Sequence, residues 1–265
     1  MSIQQLTLGE NDIVDDGAEC LSPHLAHLTS MRQLDLSYIG LGADGVTSLG
    51  PHLAQLVSIQ QLNLGENDIV DDGAECLSPH LAHLTSMRQL DLKESLIGAG
   101  GVKSLGSHLA LLTCIQVLRL RDNQIEDNGE RSLGPHLALL TALQGLNLSK
   151  NRICDDEIKW LGPHVAPLTS MKQLDLSDNL IGADGVTSLG PHLALLPSIE
   201  ELHLSHNQIE VDGSISPGPH LALLMSLQVL NLSCNQLGSD GAAALGPHLA
   251  LLPRLRYAKL GHDMI

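Results

Sequence analysis

The chain has 265 residues and a mass of 28.2 kDa, with 30 acidic against 14 basic side chains and a formal charge of −16. At 43% hydrophobic and 17% charged it is globular rather than disordered, and its acidity argues against nucleic acid or an anionic membrane surface as the main partner, since phosphates are repelled. Phe is absent and Trp160, Tyr38 and Tyr257 are the only large aromatic residues, which excludes a base- or sugar-stacking platform and leaves Leu, Ile, Val, Met and Ala to build the core.

The first predicted element begins a pattern that never stops. Ile3, Met31, Ile59, Met87, Ile115, Leu143, Met171, Ile199, Leu227 and Leu255 stand 28 residues apart. Nine full repeats and the strand of a tenth are therefore expected, forming a single domain over residues 1–265. Each repeat opens on L-x-x-L-x-L-x-x-N-x-I/L, as in Leu227-Gln-Val-Leu230-Asn-Leu232-Ser-Cys-Asn235-Gln-Leu237. The alternation of Leu230 and Leu232 predicts a short strand with one buried face. The Asn at 11, 67, 123, 151, 179, 207 and 235 falls where the chain turns inward, and its amide is expected to satisfy backbone groups there.

After the first strand, Asp15 and Asp16 precede a helix, where acidic groups can cap orphan N–H groups and oppose the dipole. In the second repeat Leu49, Leu53 and Leu56 follow the i, i+4, i+7 spacing of one helix face. Pro23, Pro51 and their six equivalents stand beyond the first helical turn, so each helix is expected to be kinked or split there. His24, His52, His80, His108, His136, His164, His192, His220 and His248 form a ladder of one per repeat. These rings are expected half-buried on the helix flank, bonding to a neighbouring helix end, and such a ladder loses stability when acid forces it to charge.

Further along, Ile39 and Ser95 replace the turn Asn in repeats two and four, where local loosening is expected. Residues 3–36 and 59–92 differ only at Thr7 against Asn63, the mark of a duplicated two-repeat unit. Repeat six places Glu157 and Trp160 where other repeats have small residues, and Trp160 is expected to lie as filler on the convex surface. The chain opens and closes at a strand with no polar capping repeat. Leu6, Leu8, Leu260, Met264 and Ile265 are therefore expected partly exposed, so that either flanking domains are missing from this sequence or the chain pairs end to end. The five cysteines are odd in number and dispersed, so reduced thiols and a cytoplasmic location are expected. No apolar run of membrane-spanning length occurs, and Met1-Ser2-Ile3-Gln4-Gln5 lacks the basic start and apolar stretch expected of a signal peptide.

These phrases, over residues 3–265, resemble the ribonuclease-inhibitor-like subclass of leucine-rich repeats. The resemblance implies an α/β solenoid, a horseshoe of ten 28-residue strand–helix repeats with a parallel concave sheet and kinked convex helices. It also implies a non-enzymatic interaction module that binds a protein or peptide on its concave face, as in the sensing region of cytosolic innate-immune receptors. Ribonuclease inhibitor, which binds a basic enzyme, and the Ran GTPase-activating protein belong to the same subclass and stand as alternatives. The repeat signature specifies the fold and says little about the ligand.

No nucleotide-binding, nucleophile-elbow or zinc-protease motif is present, so neither a cofactor nor catalysis is expected. The rows beside the strand leucines supply the candidate protein-binding residues Asp91, Lys93, Glu94, Arg119, Arg121, Asp122, Lys150, Asp175, Asp178 and His203. Their expected centre is Arg119 and Arg121, whose guanidinium groups can fork onto carboxylates. His206, Cys234 and His262 hold one position in three successive repeats, and imidazole and thiolate are ligands that zinc prefers. They are the candidate metal set, with His203 and Asp178 nearby.

Overall fold

A computed structural model describes residues 3–215 and 218–261. Ten three-residue strands, from β1 (Gln5–Thr7) to β10 (Tyr257–Lys259), pair in parallel and in chain order as one sheet. The register repeats without a slip, Leu90 opposite Leu118 and Leu118 opposite Leu146. Leu118 and Leu120 have no exposed surface, so the strand leucines point into the core. Strands stack about 4.8 Å apart and packed helices need about 8–10 Å, so covering the sheet with helices bends the solenoid toward the strands.

The turn Asn is the stitch between repeats. In Asn67 the amide nitrogen donates to the carbonyls of Leu36 (2.8 Å), Leu64 (2.9 Å) and Gly65 (3.2 Å). Its oxygen accepts from the N–H groups of Ile39 and Leu41, 3.1 and 3.0 Å away in the preceding repeat. This geometry overturns the expected loosening at Ile39 and Ser95, which are 1% and 0% exposed. Each is held by the Asn of the following repeat, Asn67 or Asn123, and Ser95 adds its own bond to the Lys93 carbonyl at 3.0 Å.

The helices are α1 (Val14–Leu25), α2 (Ala43–Leu53), α3 (Val70–Leu81), α4 (Ala99–Leu109), α5 (Glu126–Leu137), α6 (Asp155–Val165), α7 (Ala183–Leu193), α8 (Asp212–Ile215), α9 (Gly218–Leu221) and α10 (Gly238–Leu249). The expected split at proline is corrected: seven prolines lie inside unbroken helices. Pro51 stands two residues before the end of α2, so it removes one helical bond in the last turn, and the Ala54 N–H already bonds the Gly50 carbonyl at 3.1 Å. In repeat eight α8 and α9 stand on either side of residues 216 and 217, which lie outside the described residues. The acidic caps also cross between repeats. Asp15, Asp71 and Asp155 each accept a 2.6 Å bond from the N–H of the N-cap glycine of the next helix, at Gly42, Gly98 and Gly182.

The histidine ladder packs rather than bonds. A methyl group added at Gly162 would sit 2.6 Å from Cδ2 of His192, and the same contact recurs between Gly134 and His164. The rings of His80, His136, His164, His192, His220 and His248 therefore lie over a glycine near the end of the preceding helix, at Gly50, Gly106, Gly134, Gly162, Gly190 and Gly218. His24 has no preceding helix and is exposed, whereas its eight equivalents are half-buried. The expected bond to a neighbouring helix end is not found among the described residues. His108 instead meets the Ser104 carbonyl of its own helix at 3.2 Å. Trp160 stacks on His164 of its own helix, ring centroids 6.2 Å apart and planes 18° from parallel.

Burial holds His80 and His192 below the usual imidazole pKa, with repulsion from His83 adding at His80. Below pH 6.5 the unfolded chain then binds more protons than the folded one. Their contribution is complete above that pH and is lost as the pH falls through it. Urea midpoints are expected to drop between about pH 7.5 and 5.5, and His80→Gln/His192→Gln to flatten that slope. Superimposable slopes for the two proteins would refute the ladder's role.

Candidate concave-face binding site

Strand alternation about the buried leucines places residues 5, 7 and 9 of each repeat on the concave face. The next residue leaves that alternation. Glu10, Tyr38, Glu66, Glu94, Asp122, Lys150, Asp178, His206 and Cys234 all have φ between 49° and 59°. Left-handed backbone is costly for side-chain-bearing residues. It is held here by bonds such as Glu66 N–H to the Lys93 carbonyl at 2.7 Å, which extend the ladder beyond the strands. This row therefore forms the upper rim, not the concave floor.

A row that the sequence reading omitted lies on the floor. Gln5, Gln33, Gln61 and Gln89 stack in register beside Thr7, Asp35, Asn63 and Asp91. The signal was available, since alternation about Leu6 puts residues 5 and 7 on one face. Together with Arg119 these side chains line an open groove of about 210 Å³ across repeats one to five. Asp35 accepts from the N–H and hydroxyl of Ser37 at 3.0 and 2.7 Å. Asn63 accepts from Gly65 N–H and Asp91 from Lys93 N–H, both at 3.1 Å, so these side chains are fixed by their own turns. Burial raises the Asp91 pKa, opposed by the Lys93 N–H and by Arg119.

The expected basic centre is neutralised. Each cation pairs with a carboxylate one repeat earlier: Lys93 with Glu66 (2.6 Å), Arg119 with Asp91 (3.6 Å), Arg121 with Glu94 (3.7 Å) and Lys150 with Asp122 (3.1 Å). Bonding to Glu66 raises the Lys93 pKa. Such pairs contribute little stability when exposed, but they occupy the guanidinium groups that were to grip a partner. Asp175 is held by Ser177 N–H at 3.0 Å and by Asn147 at 3.2 Å, and His203 lies 3.4 Å from Glu201. Asp178 stands exposed on the rim.

The metal set does not assemble among the described residues. His206 and Cys234 share an open groove with Leu260 and Gly261, and His262 lies outside the described residues. No group of three His, Cys, Asp or Glu there is placed to hold an ion. The five cysteines are unpaired. At the ends, Leu6, Leu8 and Leu260 are partly exposed, while Met264 and Ile265 lie outside the described residues. No described helix is long and apolar enough to cross a membrane.

The family profile described as Leucine Rich repeat matches residues 1–22, 55–78, 112–134, 168–190, 196–215 and 224–246, just over half of the chain. No curated protein matches significantly. Among solved structures, internalin C2 of Listeria monocytogenes is similar at 23% identity and a TM-score of 0.57, covering 90% of this chain and 91% of that one. The protein chain in a TLR13–ssRNA13 complex is similar at 18% identity and a TM-score of 0.54, covering 84% of this chain and 32% of that one. At these identities the likeness is one of fold.

Proposed function

The chain belongs to the leucine-rich repeat family, and on that premise we propose that it is a non-catalytic module binding a basic protein or peptide along the amino-terminal half of its concave face. One observation carries this reading. The groove over repeats one to five presents unpaired amides of Gln33, Gln61 and Gln89 beside the carboxylates of Asp35 and Asp91, and its lining is mainly polar, with Leu6, Leu34 and Leu62 between them. Amides arrayed once per strand offer a donor and an acceptor to each successive polar group of an extended ligand. Asp35, which has no ion-pair partner among the described residues, favours a cationic side chain and disfavours a phosphate backbone, so the RNA named for the TLR13 complex is not carried over to this chain. The five unpaired thiols support a cytosolic setting, where a receptor's sensing region is the biological role in view.

The test is capture of partners from cytosol by the immobilised chain, by Gln61→Lys/Asp91→Lys in the groove, and by Trp160→Ala on the convex side. Recovery of a specific partner is expected to fall by about tenfold with the groove variant, a loss of about 1.4 kcal/mol, and to stay unchanged with the convex one. Equal recovery by all three would refute the groove. Inhibition of a ribonuclease or acceleration of GTP hydrolysis would move the reading to a basic-enzyme inhibitor or a GTPase regulator.

A further inference from the structure

The charge of this protein is divided between its two edges. Each repeat turns at its lower edge through nine residues, from the ladder histidine to the residue before the next strand, as in 24–32 and 248–256. These nine turns contain a single acidic residue, Glu200, of the 30 in the chain. They contain five of the 14 basic ones, Arg32, Arg88, Lys172, Arg254 and Arg256. All five are exposed, and none has an ion-pair partner among the described residues. The concave face and upper rim behave in the opposite way, with Lys93, Arg119, Arg121 and Lys150 neutralised by neighbouring carboxylates.

The same edge carries a row of leucines. Leu111, Leu139, Leu195, Leu223 and Leu251 each follow a helix C-cap or its repeat-eight equivalent, and each is 56–62% exposed. Adjacent helices lie about 8–10 Å apart, so the leucines stand as separate protrusions at that pitch. The row is broken at Pro167, so it does not offer a ligand helix an unbroken line of anchors at the i, i+7 spacing of about 10 Å. The acidic rim of a second copy matches no better, because first-turn carboxylates such as Asp44 and Asp184 would be buried against leucine without a partner.

We propose that the lower edge docks on an anionic lipid bilayer, with the leucines entering the interfacial layer and the five cations facing the headgroups. A bilayer accepts isolated apolar protrusions without register, and apolar insertion combined with basic side chains is how peripheral proteins hold to it. The net charge of −16 does not prevent this contact. The upper rim is six residues of extended chain from the row of Arg32 and Arg88, roughly 20 Å. That is more than two screening lengths of about 8 Å at physiological salt. The concave face stays open in this pose, so the proposal does not depend on what that face binds.

The full chain is to be sedimented with vesicles of phosphatidylcholine alone and of phosphatidylcholine with about 30% phosphatidylserine, at about 0.1 M salt. Binding is expected only to the anionic vesicles. It should fall by at least about tenfold in Leu195→Ser/Leu223→Ser/Leu251→Ser, and equally in Arg32→Glu/Arg88→Glu/Lys172→Glu. All six side chains are exposed, and unchanged circular dichroism spectra would show the variants folded. Arg119→Glu/Arg121→Glu should bind vesicles as the parent does. Absence of binding to the anionic vesicles, or binding indifferent to the leucine variant, overturns the proposal. So does binding to soluble polyglutamate with none to vesicles, which would assign the edge to an acidic protein.

Discussion

Replacing Asn179 by alanine is expected to lower the stability of the protein by about 3–5 kcal/mol, an effect shared with Asn67 and Asn123, which make the same five bonds. The Asn179 oxygen accepts from the N–H groups of Asn151 and Ile153, both at 3.0 Å. Its nitrogen donates to the carbonyls of Leu148, Leu176 and Ser177 at 3.1, 3.0 and 3.2 Å. Alanine leaves two buried N–H donors and their opposing carbonyls without partners in a site too enclosed for bulk water. Each such donor costs about 1–3 kcal/mol. Asn11 makes the same bonds to Leu8 and Gly9 within its own repeat, but it is exposed and has no earlier repeat to stitch. Asn11→Ala should therefore cost under about 1 kcal/mol. Urea denaturation of the two variants measures the contrast, and equal midpoints would remove the inter-repeat role of the amide.

Excising 28 residues, 87–114, should leave a folded and cooperatively melting protein, whereas excising 14, 101–114, should not. The longer deletion takes out one strand, its helix and both turns, and joins Ser86 to Ile115 at equivalent points of the repeat. The neighbours then stack on each other as they did on the missing unit. The shorter deletion keeps β4 (Gln89–Asp91) and removes most of α4. Val102, Leu105, Leu109 and Leu112, each at most 1% exposed, would vanish from the core. At about 1.5–3 kcal/mol for each buried side chain the loss is about 6–12 kcal/mol. That rivals the total stability of an ordinary domain, about 5–15 kcal/mol. Thermal melts followed by circular dichroism decide the matter. If the half-repeat deletion melts like the whole-repeat one, stacking of complete units is not what holds the fold.

The register of this protein was legible before any coordinate. Leu118 and Leu120 point inward because alternation on a strand with one buried face admits a single solution, and 28 residues is the full length of a unit. The turn Asn was legible for the same reason, since a polar amide amid leucines must serve the backbone. The proline effect was misjudged because composition does not say how far from the helix end Pro51 stands, nor that Leu49 and Leu53 anchor that last turn. The glutamine row was overlooked although alternation implied it.

What only the tertiary structure decided was which side chains meet across repeats. Partners such as Lys93 and Glu66, Arg119 and Asp91, or His192 and Gly162 are 27–30 residues apart in the chain and touch only because the repeats stack. Sequence supplies one net charge and one list of cations. Stacking assigns each of them to a concave floor, an upper rim or a lower edge, and short-range electrostatics depend on that assignment, because water and salt erase the total within about 8 Å. Arg119, the expected centre of a basic patch, is thereby paired, while Arg32 and Arg256 stand free on the lower edge.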